Sequence, residues 1–133
     1  MLNVKKTLTK ALGSIANINS TIAQILTPTL NTITPLGFYK NVTGGYYRIG
    51  NLCIVNIVAY IDGTFAANDY YTMTSNMPIP AASNVALSAS TTGASYFRRV
   101  GAVVNASGAL IVQSGDLPLT YYTVFVSGIY ITT

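Results

Sequence analysis

Residues 44–63 read GGYYRIGNLCIVNIVAYIDG. From Leu52 to Ile61 the residues are almost continuously apolar, with Asn56 the polar exception and turn residues at both ends. A short, partly β-branched run bounded by Gly, Asn and Asp is the pattern of a strand buried on both faces. Gly50-Asn51 fits a tight hairpin turn before it, because both residue types accept positive φ. Asp62-Gly63 is the next turn, and the Gly44-Gly45 pair reads as another. Asn56 must either reach a hydrogen-bond partner or mark the point where the strand meets water. Cys53 is the only cysteine, so an intrachain disulfide is excluded. It reads as a small buried packing residue. A catalytic thiolate needs a neighbouring base, and the chain has no histidine.

Outward from this stretch, the period stays at two from Phe38 to the end, with turn signals every eight to twelve residues. That spacing predicts strands at 38–42, 45–50, 52–62, 69–74, 84–91, 95–104, 109–114 and 120–132. Asn105 to Gly108 is a further hairpin turn. MPIPAA at 77–82 is a crossover or an edge, since its prolines lack ladder donors. In the last strand Tyr122, Val124, Val126 and Tyr130 alternate with Phe125, Ile129 and Ile131, so both of its faces are apolar. Two strands of this kind imply a cover over the outer face, and a neighbouring subunit is the simplest one. The expected fold class is mostly β: an antiparallel β-sandwich, jelly-roll-like head over 38–133, preceded by an N-terminal α-helix.

The first 27 residues follow another period. Val4, Leu8, Ala11, Ile15, Ile18, Ile22 and Ile25 are spaced alternately four and three apart. With Met1 they form the two core positions of a heptad seam, ended by Pro28. Ile or Leu at one position with Ile at the other favours three or four helices over two. Leu8, Ala11, Ile15, Ile18, Ile22 and Ile25 are therefore the expected oligomerisation residues of a homotrimeric stalk. The alternative is an amphipathic helix packed on its own domain or on another protein, since the seam is short and Leu12 and Leu26 widen it. Residues 28–37, PTLNTITPLG, read as an extended Pro/Thr linker.

The composition narrows the function. Only 8% of residues are charged and 50% are hydrophobic, while Thr, Ser and Asn together number 38, so the surface is polar but mostly uncharged. Of the net charge of +4, Lys5, Lys6 and Lys10 stand in the first ten residues. The head lacks the basic stripe of a nucleic-acid reader. No run is long enough for a membrane span, and polar residues break the apolar part of the N-terminus that a signal peptide would need. Without His or Glu, and with Asp62, Asp69 and Asp116 spread along the chain, neither a metal site nor a catalytic constellation is expected, and no cofactor is implied. Binding is better supplied. Of the ten tyrosines, Tyr70 and Tyr71 form an adjacent pair, as do Arg98 and Arg99. Strand neighbours face opposite sides, so each pair splits between the two faces. These four are the candidate surface-binding residues.

The order of these features resembles the compact β-sandwich heads of bacteriophage fibres and receptor-binding proteins. It consists of a short apolar helix, a Pro/Thr linker, YYRIGNLCIVNIVAYIDG, MPIPAASNVALSAS, NASGALIV and a final YTVFVSGIYIT. The resemblance covers about residues 38–133 and carries over no single binding residue. It implies a homotrimer in a virion, at the tail or the capsid surface. Residues 1–27 would attach to other virion proteins, and the head would meet a host-surface glycan or protein. A capsid-decorating or head-fibre protein without a receptor role is the alternative, and a small polysaccharide hydrolase a more distant one.

Overall fold

The computed structural model describes residues 2–93 and 97–133. Met1 of the expected seam, and Ser95 and Tyr96 at the start of the expected strand 95–104, lie outside the described residues. Helix α1 spans Leu2–Leu26, about 37 Å at 1.5 Å per residue. Hydroxyls of Thr7, Thr9, Ser14, Thr21 and Thr27 donate to the carbonyl four residues earlier, at 2.8–3.2 Å. These hydroxyls share the carbonyls already used by the helix ladder, which weakens it slightly. Every residue from Asn3 to Ala23 is exposed, so the helix does not pack on its own domain.

After Pro28 the chain runs extended and joins the head. Strand β1 (Asn31–Thr32) pairs antiparallel with β2 (Tyr39–Ile49), Asn31 opposite Tyr46 and Thr32 opposite Gly45. Ile33 is buried, and the Leu36 amide donates to the Met73 carbonyl at 2.9 Å. The Pro/Thr segment is thus partly an edge strand of the head.

Strand β2 unites the two pieces expected at 38–42 and 45–50, with a register shift between Lys40 and Thr43 where Asn41 has φ +47°. This corrects the reading of Gly44-Gly45 as a turn. Both lie within β2, at φ +80° and +155°, and a Cβ on Gly44 would collide with the Asn56 carbonyl and one on Gly45 with the Asn31 carbonyl. Glycine is required there because three backbones approach closely.

The remaining strands are β3 (Leu52–Ile61), β4 (Thr64–Phe65), β5 (Tyr70–Thr74), β6 (Val85–Thr92), β7 (Phe97–Val104), β8 (Leu110–Gln113), β9 (Leu119–Thr120) and β10 (Thr123–Ile131). Eight of the ten form one antiparallel sheet in the order β1-β2-β3-β10-β6-β7-β8-β5, and β4 pairs with β9 apart from it. The sheet curls over a single core, giving a sandwich-like head of mostly β structure. Gly50, at φ +57°, turns the β2–β3 hairpin. Pro80 makes an isolated bridge to Thr132, consistent with an edge role for MPIPAA.

Strand alternation fills the core. Cys53, Val55, Ile57, Ala59 and Ile61 of β3 face inward, as do Val124, Val126 and Tyr130 of β10. Phe65, Met73, Leu110, Val112 and Leu119 close it from the other strands. Each buried Val, Leu, Ile, Phe or Met among them contributes roughly 1.5–3 kcal/mol. Under one end, Phe65 stacks on Tyr71 at 3.8 Å and meets Tyr39 edge-on at 5.3 Å.

Candidate functional site

Residues opposite one another in an antiparallel ladder share a face, so the registers can be followed across the outer surface. One row runs Thr32, Gly45, Asn56, Ser127, Ser88, Gly101, Gln113, Tyr70, crossing all eight strands of the large sheet. Its side chains are small or neutral and polar. Asn56, the exception noted within β3, is exposed in the middle of this belt. Over β2, β3 and β10 the belt is flanked by apolar rows. Tyr47, Ile54 and Ile129 align on one side, with Ile49, Leu52 and Ile131 beyond them, and Val58 and Phe125 align on the other. Ile129 and Ile131 are 62% and 54% exposed.

At the other end of the belt, over β5, β8 and β7, the surface is concave. A pocket of about 230 Å³ is lined by Tyr70, Asn84, Gly101, Val103, Asn105, Ile111 and Gln113. Gly101 forms its floor. A Cβ there would come within 3.4 Å of the Gln113 Oε1, so the lack of a side chain leaves the depression open. Tyr70, 65% exposed, forms part of the lining, and its amide donates to the Asp69 carboxylate at 2.8 Å. The Asn105 side chain accepts from the Ser107 and Ala109 amides, both at 3.0 Å, which holds the β7–β8 turn at the pocket rim. The lining sets Tyr70, two asparagines and a glutamine beside apolar Val103 and Ile111, and it carries no charge.

Of the four surface-binding candidates, the structure places Tyr70 at this pocket and Arg99 two residues from its floor on the same strand face. Tyr71 and Arg98 point the opposite way. The Tyr71 hydroxyl accepts from the Ala66 amide at 2.9 Å, and its ring is stacked in the core. The Arg98 guanidinium donates to the carbonyls of Ser114, Leu117 and Pro118, which ties down the loop before β9. Asn84, Gly101, Val103, Asn105, Ile111 and Gln113 were missed as a group. The one signal was Gly101, a glycine within a strand pattern, which marks a close approach or a ligand.

Burial governs the titratable groups inside the head. Burial raises the Cys53 thiol above its usual range, partly offset by a hydrogen bond with Tyr130 and by the Arg48 charge. Burial likewise raises the Tyr39 phenol, helped by Tyr71. It raises the Tyr130 phenol too, with Cys53 adding to the effect, and that hydroxyl donates to the Pro78 carbonyl at 2.8 Å. Among the described residues no three His, Cys, Asp or Glu side chains gather as metal ligands, and no helix is long and apolar enough to cross a membrane.

Fold and surface together define a small, curled antiparallel β head carried behind a free-standing helix. Among solved structures, the head domain of lactococcal phage bIL170 has this fold. Its crystal structure is described in terms of a common fold for the receptor-binding domains of lactococcal phages. The match has a TM-score of 0.61 at 9% identity, and covers 80% of this chain and 99% of the phage domain. The resemblance to phage receptor-binding heads thus holds at the level of the fold. No family model matches the chain, and no curated protein matches it.

Proposed function

We propose that the chain is a non-enzymatic phage virion protein: the head of a trimeric fibre or spike that contacts the host cell surface. The observation that carries this reading is the shared fold, which takes in nearly the whole of the phage bIL170 head domain. Helix α1 is the stalk or anchor. Its seam of Leu8, Ala11, Ile15, Ile18, Ile22 and Ile25 faces solvent in the single chain and is covered when three copies zip together or when the helix docks on another virion protein. The head meets the host through the Tyr70 pocket. A neutral surface glycan is the ligand class its uncharged lining supports.

Two measurements test this. Light scattering on the full chain is expected to give three times the 14.1 kDa chain mass. Fluorescently labelled protein is expected to stain bacterial host cells and to be displaced by their purified surface polysaccharide. Gly101→Val, which fills the pocket without straining an exposed strand position, should weaken staining by about tenfold or more. Unchanged staining by that variant would remove the pocket from the reading.

A further inference from the structure

We propose that the Tyr70 pocket is one end of an extended binding row, and that its ligand is a linear, neutral oligosaccharide lying across the large sheet and held at both ends of that row. This rests on the glycan reading above and specifies the form of the ligand.

The row is the part of the belt that runs through Asn56, Ser127, Ser88, Gly101, Gln113 and Tyr70. A depression lies at each end of it. The Tyr70 pocket is one. The other, of about 210 Å³, is lined by Leu30, Thr43, Gly44, Tyr47, Asn56 and Val58. Each combines belt residues with apolar residues beside the belt: Val103 and Ile111 at the first, Tyr47 and Val58 at the second. Each also contains one tyrosine, whose ring and hydroxyl suit a ligand that is apolar on one side and polar on the other. Between the depressions, on β10 and β6, the row consists of the exposed serines Ser127 and Ser88, so nothing tall separates them. Asn56 stands three strand spacings from Gly101 and five from Tyr70, roughly 14 and 24 Å. One sugar cannot reach both ends, whereas a chain of several can.

The chemistry of the row selects this occupant. Among the described residues, none offers a hydrogen-bond partner to the side chains of Asn56, Ser127, Ser88 or Gln113. Amide and hydroxyl groups both donate and accept, as sugar hydroxyls do. The charges on this face, Lys40 opposite Tyr60 and Arg99 opposite Ser90, stand off the row, so a charged polymer gains no partner along it. A peptide adds to a sheet at a free edge, through its backbone. This row instead crosses the strands where the backbone groups are already paired in the ladders.

The test uses the full chain and the purified polysaccharide that displaces it from host cells, cut by mild acid and sorted by size. Calorimetry should show affinity rising at least about tenfold from the shortest fragments, which fill one depression, to those that span both. Asn56→Ala should remove most of that gain. So should Ser88→Ile, which sets a branched side chain between the depressions at a position where a strand accepts it. Neither should alter binding of the shortest fragments, which also shows that the Tyr70 pocket has kept its shape. Lys40→Ala, off the row, should leave long-fragment binding unchanged. Affinity independent of fragment length, or long-fragment binding indifferent to both row variants, would overturn the extended row and leave the pocket standing. A change of oligomeric mass in either row variant would make the row a contact between copies, and would overturn the proposal too. If no fragment of any length binds, the glycan reading itself falls, and this inference with it.

Discussion

Arg98 and Arg99 are adjacent on β7, and the pleat sends them to opposite sides. Arg98 serves the fold: the carbonyls of Ser114, Leu117 and Pro118, in the loop before β9, accept from its guanidinium. Hydrogen bonds from a charged donor are worth more than neutral ones. Arg98→Ala should therefore lower the unfolding free energy by about 2 kcal/mol. Arg99→Ala should change it by no more than about 0.5 kcal/mol. Urea unfolding of the two variants checks this, and equal effects would show that Arg98 does not hold the 114–118 loop. The sequence alone showed that such a pair must split. It did not show which member goes inside, because that depends on the register of β7 against β6 and β8, neighbours set by long-range pairing. Tyr70 and Tyr71 pose the same problem, resolved in the structure by the stack of Tyr71 on Phe65. The pocket was still harder to read, since Tyr70, Gly101 and Gln113 become neighbours only through two ladders.

At the scale of elements, the glycines of β2 carry the most information. Gly50 sits at a hairpin with open space around the position a Cβ would take, whereas Gly44 and Gly45 press against carbonyls on either side. Gly50→Ala should cost about 1 kcal/mol from its left-handed backbone alone. Gly45→Ala adds a steric collision with β1 to its backbone strain and should cost at least about 2 kcal/mol. Thermal melts of the two variants give the order, and a milder effect at Gly45 would mean that β1 is not seated on β2. A glycine pair in sequence is ambiguous in this respect, because turns and close backbone approaches both select for it. The ten residues from Leu52 were easily recognised as a strand, since their length and composition admit little else. Strands β4 and β9 have two residues each, too few to show any period, so the pattern gives no sign of β4 and places Thr120 of β9 at the start of the last strand. The heptad spacing correctly marked a helix, while its freedom from the head depends on tertiary contacts that a period cannot reveal.

For the whole molecule, the buried phenols link stability to pH. Tyr39 and Tyr130 both have pKa values raised above the ordinary 10.0, chiefly by burial. The folded state then holds these protons more tightly than the unfolded chain does. Their contribution is fully present below the unfolded value and is lost as the pH climbs through and beyond it. The melting temperature should be nearly flat from about pH 7 to 9 and fall steeply above about 10. The Tyr39→Phe, Tyr130→Phe double variant should start lower, having lost two hydrogen bonds, but fall less steeply. A parallel decline in both proteins would assign the alkaline transition to other groups.

The alternation that builds β5, β7 and β8 divides each strand into two independent sets of residues. Tyr71, Ala102, Val104, Leu110 and Val112 look inward and sustain the core, while Tyr70, Gly101, Val103, Ile111 and Gln113 look outward and shape the pocket. Substitutions in the second set leave the first in place. Under the proposed role, a virus confronting hosts that vary their coats could rewrite these outward positions one by one. Host range would drift while the scaffold stayed the same, so related heads could keep this architecture after nearly all recognisable kinship in their sequences had gone.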